Sequence, residues 1–211
     1  MTTILFQGDS ITDGNRGRNG DPNHDLGHGY VFMIAAELGL ASPHEHVIIN
    51  RGISGNRIDH LYGRWEEDAL MHAPDWISLL VGVNDIEAMV TNAHVRYVDR
   101  FERSYRRIIE DTLEFQPGCR FILGEPFLLP VGRVGAHYSA YSSIAHNIRQ
   151  TVRTIAESYH MPFVPLQDRF EEACAKAAPP SYWLWDGIHP TPAGHALIRD
   201  RWLQVFRSEN K

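Results

Sequence analysis

Short, almost continuously apolar runs alternate along this chain with longer stretches of helical period. Residues 3–6, 47–50, 76–81, 120–124 and 163–166 are the strand candidates. They lack the strict in-out alternation of strands wetted on one side, so each is expected to be covered on both faces. Between them the period lengthens to about 3.6 residues. Val31, Ile34, Ala35 and Leu38 form one stripe; Ile58, Leu61, Trp65 and Ala69 form a second. Val98, Phe101, Tyr105, Ile108 and Thr112 form a third, and Tyr141, Ile144, Ile148, Val152 and Ile155 a fourth. Ile198, Trp202 and Val205 close the chain in the same way. Apolar and aromatic residues at such spacing signal core before anything else.

Strand followed by helix, repeated about five times, predicts a parallel sheet with helices on both faces and right-handed crossovers. The expected architecture is a three-layer α/β/α sandwich, a flavodoxin-like parallel sheet of about five strands. No repeat, low-complexity stretch or linker divides the sequence, so residues 1–211 are read as one domain. A chain of this length buries about 70% of the surface its unfolded form exposes and needs no staples. In such sheets ligands gather beyond the carboxyl ends of the strands, where strand order reverses. Polar residues immediately after strands are therefore the ones to inspect.

Three stand out: Ser10 in "GDS", Gly55 in "NRGISGNR" and Asn84 in "VGVND". In a flavodoxin-like order the first and third strands are neighbours, which brings Ser10 and Asn84 to one rim. A fourth element, "WLWDGIHPTPAGH", holds Asp186 and His189 just before Pro190 and the last helical stripe. A serine hydroxyl is a poor nucleophile at neutral pH; it needs a base, and the base needs a partner that fixes its tautomer. His189 fits the first part and Asp186 the second. The tetrahedral intermediate of acyl transfer also needs hydrogen-bond donors at its oxyanion. The Ser10 and Gly55 N–H groups and the Asn84 amide would supply them, with glycine at 55 letting the backbone approach closely.

Taken singly, each of these residues has a plainer reading. Ser10 with Asp13 could be an N-cap and a capping carboxylate. Gly55 could be a turn glycine, Asn84 a capping residue, and His189 a helix-entry residue. Asp9 and Asp85 are assigned to loop hydrogen bonds. Of the 12 histidines, all but His189 are read as surface or satisfied core residues, with His195 placed in the last helix. Of the aromatic cluster Tyr182, Trp183 and Trp185, Trp185 beside Asp186 is the candidate platform for the apolar face of a sugar ring, and wall packing is the alternative.

Formal net charge is −6, and no run of Lys or Arg reaches four residues. The phosphate-neutralising footprint of a nucleic-acid binder is missing. The glycine-rich "GDSITDGNRGRNG" lacks a phosphate-loop lysine, and its two aspartates at the helix entry would repel an anion. Cys119 and Cys174 are too few for a disulfide framework and point to a reducing compartment. The start "MTTILFQGDS" has no basic lead and too short an apolar run for a signal or membrane segment. A cytoplasmic location is expected, with neither nucleic acid nor membrane as partner. A metallohydrolase built from His24, His28, His44, His46 or His189 finds no HExxH run or paired Cys/His spacing to support it.

The four blocks, in this order, resemble those of the SGNH (GDSL-type) hydrolases. The stretches "GDSITD", "LGHGYV", "RGISGNRIDHLYGRWEED", "PDWISLLVGVNDI" and "WDGIHPTPAGH" are most similar to the cytoplasmic acetylxylan-esterase-like branch. That resemblance implies a serine esterase removing acetyl groups from sugar hydroxyls through an acyl-enzyme. It implies Ser10, Asp186 and His189 as the triad, an oxyanion hole of Ser10, Gly55 and Asn84, no metal or other cofactor, and often a homo-oligomer. An esterase for other short-chain esters, and a carbohydrate-binding relative without turnover, are the alternatives. His28 and residues 87–95 and 127–138 match no acceptor-recognition pattern.

Overall fold

A computed structural model describes residues 1–92 and 97–209. From the N-terminus run β1 (Thr2–Gly8), α1 (Ser10–Asp13), α2 (Tyr30–Ala41), β2 (His46–Asn50), α3 (Ile58–Gly63), α4 (Trp65–Asp68), β3 (Trp76–Leu80), α5 (Val83–Asn92) and α6 (Tyr97–Phe115). There follow β4 (Arg120–Gly124), α7 (Gly132–Gly135), α8 (Tyr138–Ser158), β5 (Phe163–Val164), α9 (Gln167–Lys176), α10 (Pro180–Trp183) and α11 (Pro192–Ser208). The strands form one parallel sheet in the order β2-β1-β3-β4-β5. Strand order thus reverses between β1 and β3, as the alternation of the sequence predicts.

Helices α2 and α11 pack together, as do α3 with α6 and α8 with both α5 and α6. Strand β3 is buried along its whole length, and β1 from Ile4 onward, which explains their unbroken apolar runs. Phe6 of β1 packs on Tyr30 of α2 and Trp202 of α11, and the Trp202 indole donates to Ser78 Oγ of β3 at 2.9 Å. Elsewhere in the core, the Trp65 indole donates to Thr112 Oγ1 at 2.8 Å. Trp65 and Trp202 therefore carry their polar atom to a partner when buried.

Two predicted elements differ in extent. The stripe from Ile58 to Ala69 reads as one helix, but the chain breaks it at Arg64. The Arg64 guanidinium reaches back to Gln7 Oε1 at 2.9 Å and to the Arg51 carbonyl at 3.0 Å, across the ends of β1 and β2. All four apolar residues of the stripe stay buried, so the face survives the break. Strand β5 stops at Val164 because the next backbone N–H groups, of Leu166 and Gln167, turn to the buried Glu125 carboxylate at 2.8 and 3.0 Å. Residues 87–92 of the unassigned stretch 87–95 continue helix α5, and residues 93–95 lie outside the described residues.

Candidate active site

The turn after β1 is built around Asp9. Its carboxylate caps α1 by accepting the Ile11 N–H at 3.0 Å, which leaves Ser10 at the first helical position. Serine is therefore not the cap, and Asp13 is not its capping partner. Asp13 instead crosses to another loop. Its Oδ2 accepts the Ser54 N–H at 2.9 Å and the Arg18 guanidinium at 2.9 Å, while Oδ1 accepts the Arg16 N–H at 3.0 Å. Asp9 is buried, and burial pushes its carboxyl up to about 7 against the opposing pull of the Ile11 N–H and of His189.

Two glycines shape the loop after β2 for different reasons. A Cβ on Gly52 would lie 2.3 Å from the Asp13 nitrogen, so only glycine lets this loop meet the serine turn. Gly55 has nothing within 4 Å of such a Cβ; its φ of +80° is what selects glycine. The close approach between the two loops is therefore made at Gly52. Asn84 is the second residue of α5, and its amide donates to the Asn56 carbonyl at 3.1 Å. Asp85 beside it is buried and accepts the Ile58 N–H at 3.3 Å. Burial raises the Asp85 carboxyl well above its usual range. Together these two residues anchor the chain just after Gly55.

Asp186 and His189 lie in a loop closed by a bridge between Leu184 and Pro190 and by the Trp185 N–H on the His189 carbonyl at 3.2 Å. Asp186 Oδ1 accepts the backbone N–H groups of Ile188 and His189 at 3.0 and 2.7 Å. Its Oδ2 meets His189 Nδ1 at 2.7 Å. On the other side of the ring, His189 Nε2 lies 2.8 Å from Ser10 Oγ. Burial alone would raise the Asp186 carboxyl, but the hydrogen bonds from His189 and Ile188 outweigh it and hold the group below the usual carboxylate range. The arrangement is an unbroken chain from hydroxyl to imidazole to ionised carboxylate.

The segment 127–138 proves to brace this loop. The Leu129 N–H donates to the Gly187 carbonyl at 3.0 Å, and Arg133 Nε donates to Asp186 Oδ2 at 3.1 Å. Arg133 also pairs with Glu87 of α5. No pattern in the sequence joins Arg133 to Asp186, because the contact depends on how the segment after β4 folds over the loop.

A cleft of about 310 Å³ opens over Ser10 and His189, with Asn15, His28, Ser54 and Trp185 around it. Trp185 is 64% exposed and stacks on the His189 ring, centroids 5.9 Å apart. Trp183 instead packs as wall, with its indole N–H on the Ala178 carbonyl at 3.1 Å. His195 of α11 also lines the cleft. It is buried, accepts the Tyr30 N–H on Nδ1 at 3.1 Å, and is pushed by burial down to about 4. Among the described residues no group of three or more His, Cys, Asp or Glu side chains is placed to hold a metal ion. Among them, too, no helix is long and apolar enough to cross a membrane.

The model of the GDSL-like lipase/acylhydrolase family matches residues 6–197. The chain is 33% identical to the acetylxylan esterase of Geobacillus stearothermophilus, over 98% of this chain and 94% of that protein. A solved structure of that esterase superposes with a TM-score of 0.83 at 31% identity, covering 97% of this chain and 93% of the other. A crystal structure named as a GDSL-like lipase of Parabacteroides merdae gives a TM-score of 0.90 at 36% identity, covering 97% and 94%.

Proposed function

The chain belongs to the GDSL-like lipase/acylhydrolase family and is a carboxylic ester hydrolase, and from that premise we propose that it removes acetyl groups from sugars such as xylo-oligosaccharides through a serine-linked acyl-enzyme. In this reading the residues 1–211 act as one catalytic domain. Ser10 is the nucleophile, His189 the base and Asp186 its orienting partner. One observation carries the reading: Ser10 Oγ, His189 and Asp186 are joined by contacts of 2.8 and 2.7 Å. The acetyl-on-sugar assignment rests on likeness to a relative named as an acetylxylan esterase, and on an exposed tryptophan at the cleft.

The proposed chemistry uses one small set of groups. The substrate carbonyl settles against the Ser10 and Gly55 N–H groups and the Asn84 amide, and Ser10 Oγ attacks its carbon as His189 Nε2 takes the hydroxyl proton. The Asn84 amide has two N–H bonds; the one on the Asn56 carbonyl fixes its orientation and leaves the other for the oxyanion. The tetrahedral adduct collapses as the imidazolium returns its proton to the departing sugar hydroxyl. Water, deprotonated by the same imidazole, then attacks the acetyl-serine, and acetate leaves as the proton returns to Ser10. Trp185 offers its exposed face to the sugar ring.

The test is hydrolysis of p-nitrophenyl acetate and of a panel of acetylated xylo-oligosaccharides, with and without a serine-directed phosphonate. Phosphonate-sensitive deacetylation of the oligosaccharides is the expected result. Preference for longer acyl chains would overturn the acetyl assignment, and no turnover of any ester would favour a binding role.

A further inference from the structure

A second cavity, of about 580 Å³, shares no lining residue with the catalytic cleft. Its wall carries Arg16, Arg18 and Arg51. Arg18 is already committed, to the Asp13 carboxylate and the Arg16 carbonyl. Arg16 is only 8% exposed, and its single side-chain hydrogen bond runs from Nε to the Gly52 carbonyl at 3.0 Å. Its two terminal nitrogens have no hydrogen-bond or ion-pair partner among the described residues, yet they belong to a side chain lining an open space. Arg51 is similar: Nε donates to His72 Nε2 at 3.1 Å, and the terminal nitrogens have no partner among the described residues. Asp13 and Asp68 offset the Arg16 charge only in part, so a nearly buried guanidinium with open terminal nitrogens still favours an added counter-charge. Burial and repulsion from Arg18 depress the Arg16 guanidinium, against the pull of Asp13 and Asp68.

The same wall limits what that counter-charge can be. Asp25 and Asp68 also face the cavity, so a dianion would meet two carboxylates at close range. Leu26, Ile48, Ile49 and Ile53 also belong to its lining, apolar residues that an inorganic anion would not use. The volume is that of an organic ligand site. We propose that this cavity binds an organic monocarboxylate, its carboxylate between the Arg16 and Arg51 guanidinium groups and its hydrocarbon body on Ile48 and Ile49.

Isothermal titration of hexanoate into Ser10→Ala protein tests this without turnover, whatever the esterase reading proves to be. Saturable binding of one hexanoate per chain is expected, with a Kd on the order of 1 mM. Arg16→Gln and Arg51→Gln should each weaken it by about tenfold or more, since each removes a charge-assisted contact. Inorganic phosphate should bind more weakly than hexanoate. Should Arg16→Gln fail to fold after losing its bond to Gly52, Arg51→Gln decides. No binding up to about 50 mM would overturn the proposal. So would binding unchanged in an Arg51→Gln protein that melts like its parent, and phosphate binding more tightly than hexanoate would remove the monocarboxylate.

Discussion

The Asp13 carboxylate accepts the Ser54 N–H at 2.9 Å, tying the turn that presents Ser10 to the loop that presents Gly55. Two parts of the proposed site thus share one buried anion. Asp13→Ala leaves the Ser54 and Arg16 N–H groups without that acceptor, at about 1–3 kcal/mol for each that stays buried. The melting temperature should fall, and kcat on p-nitrophenyl acetate should fall by about tenfold or more as the loop loosens. Full kcat in a destabilised variant would show that the loop is held in register without Asp13.

Ser10→Ala and His189→Ala should each reduce kcat by about 10⁴-fold or more with the fold intact, by analogy with other hydrolase triads. Asn84→Ala should cost about 10²- to 10³-fold, the usual loss for one oxyanion donor. Because the Asn84 amide also holds Asn56, circular dichroism and thermal melting must accompany the kinetics. A fully folded Asn84→Ala protein with parental turnover would remove the residue from the oxyanion role.

Arg133 donates to the same Asp186 oxygen that meets His189, and Glu87 holds Arg133 in turn. Arg133→Met should lower kcat on p-nitrophenyl acetate by about tenfold with little change in KM, since a charged hydrogen bond is worth about 1.5–3 kcal/mol and this one orients a group that does not touch substrate. Arg133→Lys should recover part of the loss. Equal kcat in all three proteins would make Arg133 a surface ion pair only.

The sheet was legible because its inner strands β1, β3 and β4 are largely buried on both faces and all five read as short apolar runs. Ser10, Gly55 and Asn84 stood out because a strand end followed by a polar block is a local signal, and Asp186 with His189 because the pair stands just before the last helical stripe. What escaped the sequence is what the site needs to hold its shape. Asp13 reads as a cap because Asp is common there, and its partner Ser54 is visible only once β1 and β2 pair. The crowding at Gly52 likewise depends on two loops meeting. Helix α9 escaped because buried Gln167 stands where a periodic stripe would have an apolar residue. Its side chain serves the Leu128 N–H and carbonyl, at 3.0 and 3.1 Å.

The Trp185 indole has no hydrogen-bond partner among the described residues and is exposed beside the His189 ring. If a sugar ring stacks on it, Trp185→Ala should lower kcat/KM on acetylated xylo-oligosaccharides by roughly threefold to tenfold more than on p-nitrophenyl acetate, the range expected for one aromatic contact. Equal losses on the two substrates would mean that the indole acts through its stack on His189 and not through the acceptor.

Asp9 gives a pH dependence whose sign can be fixed. Its carboxyl stands near 7 in the fold, chiefly through burial, and at about 3.8 when free. Between those values the folded protein holds a proton that the unfolded chain has lost, so this group's contribution to stability falls as pH rises and levels off above about 7. His195, pushed down to about 4 by burial, works the other way: below its free value of 6.5 the unfolded chain binds a proton that the fold excludes. The two slopes oppose each other in the parent protein, so a difference measurement is needed. Asp9→Asn keeps an oxygen for the Ile11 N–H and cannot ionise, while His195 is common to both proteins. Urea unfolding should therefore show Asp9→Asn gaining stability over the parent from pH 4 to pH 7, by about 1.4 kcal/mol per unit at most, with a plateau beyond. A difference independent of pH would mean that Asp9 ionises as readily inside the protein as outside it.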